Sequence, residues 1–210
     1  MKAIDQIKKK ITSQDVDLLK QSLNIINEHL KREADRGESA LKRVSMLFTL
    51  TGILSAILIF FGKLVLVDLN GTLLILIYLI YFLIIIFFFK TIYYSLRSIG
   101  LAHVLELSPD TVYEIQSMDN IKALHHEIAE KMWEYDQIIP YNNNRLFNYG
   151  RGQRNLIFGM IFFLILGLLF AVNAKIQINI NIQYLISLIM IFFTIISDLI
   201  FEKFGFWEFN

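Results

Sequence analysis

The chain has no cysteine among its 210 residues. That excludes disulfide frameworks, thiolate zinc sites, iron–sulfur clusters and cysteine nucleophiles. Proline is almost as scarce, with only Pro109 and Pro140, so little interrupts long helices. Charge imbalance is missing too. Twenty Lys and Arg against nineteen Asp and Glu leave a net +1, too little for the whole chain to bind a nucleic acid polymer. What is abundant is apolar surface. Hydrophobic residues make up 55% and charged residues 19%, with eighteen Phe and nine Tyr, and mean hydropathy is +0.52. A soluble domain is poorer in such residues than this, and the composition is that of an integral membrane protein.

A hydrocarbon layer of about 30 Å takes about 20 apolar residues in a helix, where every backbone group is satisfied within the segment. Val44 to Gly62, Leu69 to Phe89 and Asn155 to Ala174 are charge-free or nearly continuous apolar runs of that kind. A fourth, Ile176 to Ser197, opens with IQININIQ, whose polar residues alternate with Ile at a period of two. The expectation is an extended or interfacial approach, then a fourth helix from near Gln183 to about Phe201. The fold expected is therefore all-α, a bundle of four transmembrane helices. Its segments are an amino-terminal helical stretch (1–43), a first hairpin (44–89), a helical insert (90–154), a second hairpin (155–201) and a short tail (202–210).

Orientation follows from basic residues near the ends of the runs. Ten Lys or Arg precede the first run, a layout unlike a cleaved signal peptide, and seven lie between Lys90 and Arg154. Only Lys63, Asp68 and Lys175 fall in the two short connections. Both termini and the insert are expected inside.

In the amino-terminal stretch Ile4, Ile7 and Ile11 form a short apolar face, and Thr12 with Asp15 marks a cap and a fresh start. Leu19, Leu23, Ile26 and Leu30 then repeat at threes and fours, either packing on other cytoplasmic helices or forming a short self-associating coil. Continuous helix is expected from about Asp15 to Gly62. The second run is expected to continue through Thr91 to Leu107 and break at Ser108-Pro109. A returning helix from about Asp119 to Ile138 would place Ile121, Leu124, Ile128, Met132 and Tyr135 on one face, and Pro140 would kink or end it.

Chemistry-bearing residues are few. His125 and His126 point about 100° apart on a helix, and His126 with Glu130 lacks a further ligand pair of that spacing, so no metal is expected. No nucleophile–base set, carboxylate pair or cofactor fingerprint can be assembled, which points away from an enzyme and from any cofactor. Arg145, Arg151 and Arg154, with Asn144 and Asn148, have two readings. They are juxtamembrane residues that set topology and meet anionic headgroups, or a site sensing an anionic signal through bidentate phosphate contacts. Inside the runs, Ser45, Thr49, Gly52 and Ser55 form one stripe. Gly159, Gly167 and Ala171 form a second, and Tyr184, Ser187, Thr194 and Asp198 a third. Such stripes serve close helix packing or line a pore, with Asp198 at its inner mouth.

The layout has a counterpart. EADRGESALKRVSMLFTLTGILSAIL (Glu33 to Leu58) carries a charged helix into the first run, and NNNRLFNYGRGQRNLIFGMIFFLILGL (Asn142 to Leu168) leads into the second hairpin. In this the chain resembles the small multi-pass transmembrane effectors of bacterial anti-phage systems of the Pycsar and CBASS kinds. The resemblance implies a homo-oligomer in the bacterial inner membrane that perturbs or permeabilises the bilayer when an infection signal arrives. Such effectors respond to a nucleotide second messenger, but the insert holds no separate nucleotide-sensing domain, which makes a cytoplasmic partner protein an equally good trigger. A membrane scaffold that anchors such a partner, and a constitutive small-ion channel, are the alternative functions.

Overall fold

The computed structural model describes residues 2–66, 73–100, 118–173 and 180–204, with only the backbone described at 2, 3, 64, 66, 172, 173, 193 and 197–204. Five helices follow in order: α1 (Lys2–Lys8), α2 (Val16–Leu66), α3 (Leu74–Ile99), α4 (Asn120–Asn173) and α5 (Ile180–Phe204). No strand occurs among the described residues. α2, α3 and α4 are each long and apolar enough to cross a membrane, and α5 is apolar over Ile180–Ile196. At 1.5 Å per residue the 51 residues of α2 extend about 77 Å, far more than the hydrocarbon thickness.

Local chemistry explains the ends. Asp15, rather than Thr12, caps α2: its Oδ1 accepts the N–H of Asp17 at 2.9 Å and of Leu18 at 3.4 Å. α3 ends at Ile99, before Gly100, and the rest of the continuation expected to Leu107 lies outside the described residues. Residues 101–117, with the break expected at Ser108-Pro109, lie outside the described residues. Pro140 does not end its helix, because α4 passes through it. The missing proline N–H removes one intrahelical bond, and packing on both sides of it holds the rest. α5 begins at Ile180, so Ile180 to Ile182 are helical and not extended. Their period-two pattern yields to the hydrogen bonds a helix supplies within its own segment. The remainder of the alternating stretch is outside the described residues, as are Leu69 to Thr72.

The chain divides into two compact units, one of residues 1–43 and 98–146 and another of 44–97 and 147–210. In the first, α2 packs on α4. The His29 and Tyr135 rings lie 5.9 Å apart, and Leu19, Ile128 and Ala129 are fully buried. Met132, expected on that buried face, is 40% exposed, and His126 is buried in its stead. The second unit is built around α3, half of whose apolar window is buried, against 22% for α2 and α4. Leu47 and Leu58 of α2, Ile77, Ile80 and Ile84 of α3, and Leu156 and Leu166 of α4 form its core, with Ile186 and Met190 of α5 packed on it.

One pattern organises α2 along its whole length. Residues 19, 23, 26, 30, 33, 37, 40, 44, 47, 51, 54, 58, 61 and 65 are all buried or half-buried. Their steps alternate between four and three, the 3.5-residue repeat of a coiled-coil seam. The face is therefore far longer than its first four apolar members suggest. It passes through Glu33, Gly37 and Ala40 before becoming apolar again at Val44.

Helices in lipid gain little from apolar contact as such and associate through close fit and hydrogen bonds. Two glycines of α4 provide that fit. A Cβ on Gly159 would lie 2.6 Å from Phe88 Cε1, and one on Gly152 would lie 2.9 Å from Leu47 Cδ2. Beside Gly152 the Thr91 hydroxyl donates to the Phe87 carbonyl at 2.9 Å and reaches the Gly152 carbonyl at 3.3 Å. Gly167, by contrast, has nothing within 4 Å of its Cβ position, so Gly159 and Gly167 do not share one packed face. Gly159→Leu is expected to lower the thermal midpoint of the detergent-solubilised chain, since overpacking costs about 1–3 kcal/mol. Gly167→Leu should leave it unchanged in the same circular-dichroism melts.

Candidate functional site

The residues singled out within the apolar runs fall into two environments. On α2, Ser45, Thr49 and Gly52 are exposed, and Gly52 has nothing within 4 Å of its Cβ position. The Thr49 hydroxyl donates to the Ser45 carbonyl at 3.0 Å, which satisfies it without a neighbour. Ser55 is half-buried and borders a groove of about 290 Å³ with Leu58, Tyr81, Ile85 and Phe88. Gly167 of α4 also faces outward. On α5 the picture reverses: Ser187 is buried, and Thr194 is half-buried with its hydroxyl on the Met190 carbonyl at 2.8 Å. Tyr184 is 57% exposed and does not share the burial of Ser187. The Asp198 side chain lies outside the described residues.

The arginine set is also divided. Arg145 belongs to the first unit, and Arg151 and Arg154 to the second. Arg145 is half-buried, and its carbonyl accepts the Ser98 hydroxyl at 3.0 Å. Asn144 is exposed, whereas Asn148 is buried. The Arg151 guanidinium lies over the Phe147 ring at 4.4 Å and near the Tyr94 ring at 5.6 Å.

A more concentrated polar site sits in the first unit. Glu33 and Gly37 occupy successive seam positions of α2, and Asn142 faces them from α4. The Asn142 amide donates to the Glu33 carbonyl at 2.7 Å and to Glu33 Oε2 at 2.9 Å. Asn142 is only 3% exposed, and the Glu33 side chain, 15% exposed, also meets Arg36 at 3.3 Å. A Cβ on Gly37 would fall 2.8 Å from Asn142 Oδ1 and 3.4 Å from Arg145 Nη1. Glycine is needed there because the two helices come within reach of a side-chain amide. A buried amide at a seam position fixes register, since any slip leaves it and the carboxylate without each other.

Two further contacts fasten this unit. His125 Nε2 lies 2.8 Å from the Ser13 carbonyl, and because a carbonyl only accepts, that nitrogen carries the proton. His126 is 8% exposed, with Nε2 3.4 Å from Glu130 Oε1. At the surface of α2, Lys42 holds the Glu38 carboxyl below its ordinary value and is itself raised, each through their shared hydrogen bond first and their charge attraction second. That fully exposed pair adds its small stabilisation above the ordinary Glu value and loses it as pH falls through the lowered one.

Among the described residues no group of three His, Asp or Glu is placed to hold a metal ion. Neither Glu33 nor Asn142 stood out in the sequence. Their signal was the seam itself, continued through residues that are not apolar. Thr91, Ser95 and Ser98 were likewise missed, although they are fully buried at spacings of four and three along α3. Compared with known protein families, curated proteins and solved structures, the chain matches none.

If the Glu33–Asn142 contact sets the register, a double-mutant cycle of Glu33→Gln and Asn142→Ala, read by denaturant unfolding, should give a coupling of about 1–3 kcal/mol. Coupling within error of zero would reduce the contact to an incidental one.

Proposed function

We propose that the chain is a homo-oligomeric effector of the bacterial inner membrane, active in anti-phage defence. It crosses the bilayer four times, with α5 as the last span and both termini inside. A nucleotide second messenger or a partner protein acts on the cytoplasmic unit, where Arg145, Asn144 and the Glu33–Asn142 layer receive it. Arg151, Arg154 and Asn148 lie further along the same helix. The response is a rearrangement of the membrane unit that permeabilises the bilayer.

The observation that carries this reading is the seam of α2, which keeps one phase from Leu19 to Val65. Residues of the polar layer and residues of the apolar run lie on the same helix, α2, and the proposed signal passes along it. The outward Ser45, Thr49 and Gly52 stripe, together with Gly167, suits close approach of further copies. Ser55, Ser187, Thr194 and Asp198 supply polar groups for a permeation path. A second reading, a membrane scaffold that conducts nothing, draws on a different observation. The Thr49 and Thr194 hydroxyls are satisfied by their own helices and need no water.

Membrane potential and dye entry in bacteria expressing the chain, with and without phage challenge, separate the two. For the effector, depolarisation appears only with the signal and is lost in Thr194→Leu with Asp198→Leu. A potential that stays intact under every condition, with membrane expression confirmed, establishes the scaffold instead. Depolarisation without any signal indicates a constitutive channel.

A further inference from the structure

Two fully buried hydroxyls of the membrane unit are satisfied by their own helix. Thr51 donates to the Leu47 carbonyl at 2.8 Å and Thr91 to the Phe87 carbonyl at 2.9 Å, each four residues back. Ser95 of α3 is as deeply buried, with the Thr91 carbonyl four residues back, yet its Oγ has no hydrogen-bond partner among the described residues. Asn155 of α4 is only half satisfied. It is 1% exposed, and its amide donates to the Arg151 carbonyl at 2.8 Å while Oδ1 accepts from no described group. The contacts of α4 place Asn155 opposite the same stretch of α3. On one side of it the Arg151 guanidinium lies 5.6 Å from the Tyr94 centroid, and a Cβ on Gly152 would lie 3.6 Å from the Thr91 carbonyl oxygen. On the other, the Phe158 and Phe87 rings lie 5.7 Å apart and Gly159 meets Phe88. Asn155 is four residues from both Arg151 and Gly159, hence on the face they share against α3. Bonding back to Arg151 draws its side chain toward the level of Thr91 and Ser95.

α4 is also weakened at this level. Gly150 and Gly152 fall within one turn, and glycine lowers helix stability relative to alanine. Close approach to α3 explains Gly152, but a Cβ on Gly150 would meet nothing within 4 Å, so packing does not ask for glycine there. What it changes is the stiffness of the helix. A buried polar group left unpaired forfeits the hydrogen bonds that water would give it. Asn155 opens its apolar run and Ser95 lies beyond Phe89, the last residue of its own, so water stands close to both. Parting the helices by the width of a water molecule would recover both bonds, and the closed contact competes with a hydrated one. We infer that the α3–α4 contact around Ser95 and Asn155 is a water-admitting joint: α4 bends at Gly150–Gly152, and water enters to pair Ser95 Oγ and Asn155 Oδ1. The joint is independent of the proposed defence role and opens in a scaffold as in a channel.

The absence of cysteine from the chain allows a direct test. In the full chain, held in lipid nanodiscs, Ser95→Cys is compared with Leu96→Cys, its 55% exposed neighbour, for reaction with a water-soluble thiosulfonate. The thiolate that reacts forms only where water reaches the sulfur. Ser95→Cys should react to completion, more slowly than Leu96→Cys. Gly150→Ala, which adds a methyl group in open space and stiffens α4, should slow it about fivefold. Asn155→Leu, which removes the unpaired acceptor, should slow it about tenfold. Neither change should alter the rate at Leu96→Cys. A Ser95→Cys chain that stays unlabelled while Leu96→Cys reacts overturns the proposal. So does a rate that Gly150→Ala leaves unchanged, or one that a folded Asn155→Leu chain leaves unchanged or raises. If Asn155→Leu fails to fold, Gly150→Ala decides alone, since its added methyl touches no neighbour. The readout is labelling of the purified chain, so its failure is distinct from a failure to depolarise cells.

Discussion

A helix that passes from water into lipid must keep one face against its neighbours in two solvents that reward packing for different reasons. In water the reward is the removal of apolar surface. In hydrocarbon that reward disappears, and only close fit and internal hydrogen bonding remain. α2 meets both demands with one 3.5-residue face whose composition changes along it. Leucine and isoleucine fill it at Leu19 to Leu30, small and polar residues at Glu33, Gly37 and Ala40, and a mixture of aliphatic side chains with Thr51 in the apolar run. α3 supplies the most deeply buried apolar window of the membrane unit, and α4 brings glycine to the points where side chains of α2 and α3 come closest.

The two units use polar groups differently. In the first, an amide and a carboxylate meet across helices, so their partnership exists in one register alone. In the second, the hydroxyls of Thr51 and Thr91 donate first to their own helix at i−4. That arrangement satisfies them within their own helix, with the Gly152 carbonyl a second, longer contact for Thr91 at 3.3 Å. Specificity in the first unit thus rests on its polar pair, whereas the second unit adds to the close fit at Gly152 and Gly159 only longer cross-helix bonds, that one and the bond from Tyr81 to the Leu58 carbonyl at 3.4 Å. The aromatic ring pairs Phe61 with Phe163 and Phe87 with Phe162, at 5.6 Å each, add directional contact to that steric selection.

Much of the helical layout was legible in the sequence, because a membrane imposes run length and backbone satisfaction before any tertiary contact forms. The apolar runs, the restart near Asp15 and the helical nature of 120–138 all followed from length, period and capping residues. Three features were not legible, each for a physical reason. The helix carried on past Pro140 because local propensity was overruled by packing on either side. Ile180 to Ile182 became helical because a period-two pattern cannot supply its own hydrogen bonds. The seam was underestimated because hydropathy identified its apolar members and passed over Glu33, Gly37 and Ala40, which are buried through pairing and size. The same blindness hid Asn142, which reads as one of three consecutive asparagines until α2 is placed beside it.

The unbroken phase of α2 has a consequence for how this chain can change over evolutionary time. Each residue inserted into or deleted from a helix turns everything beyond it by about 100°. A single insertion between Glu33 and Val44 would move Leu47, Thr51 and Leu58 out of the seam positions and put the exposed Met46, Leu50 and Ile57 into them. The length of that stretch is therefore quantised, free to grow or shrink by sevens but not by ones or twos, while the residues between seam positions drift freely. Among relatives of this chain, spacing should be preserved where identity is not.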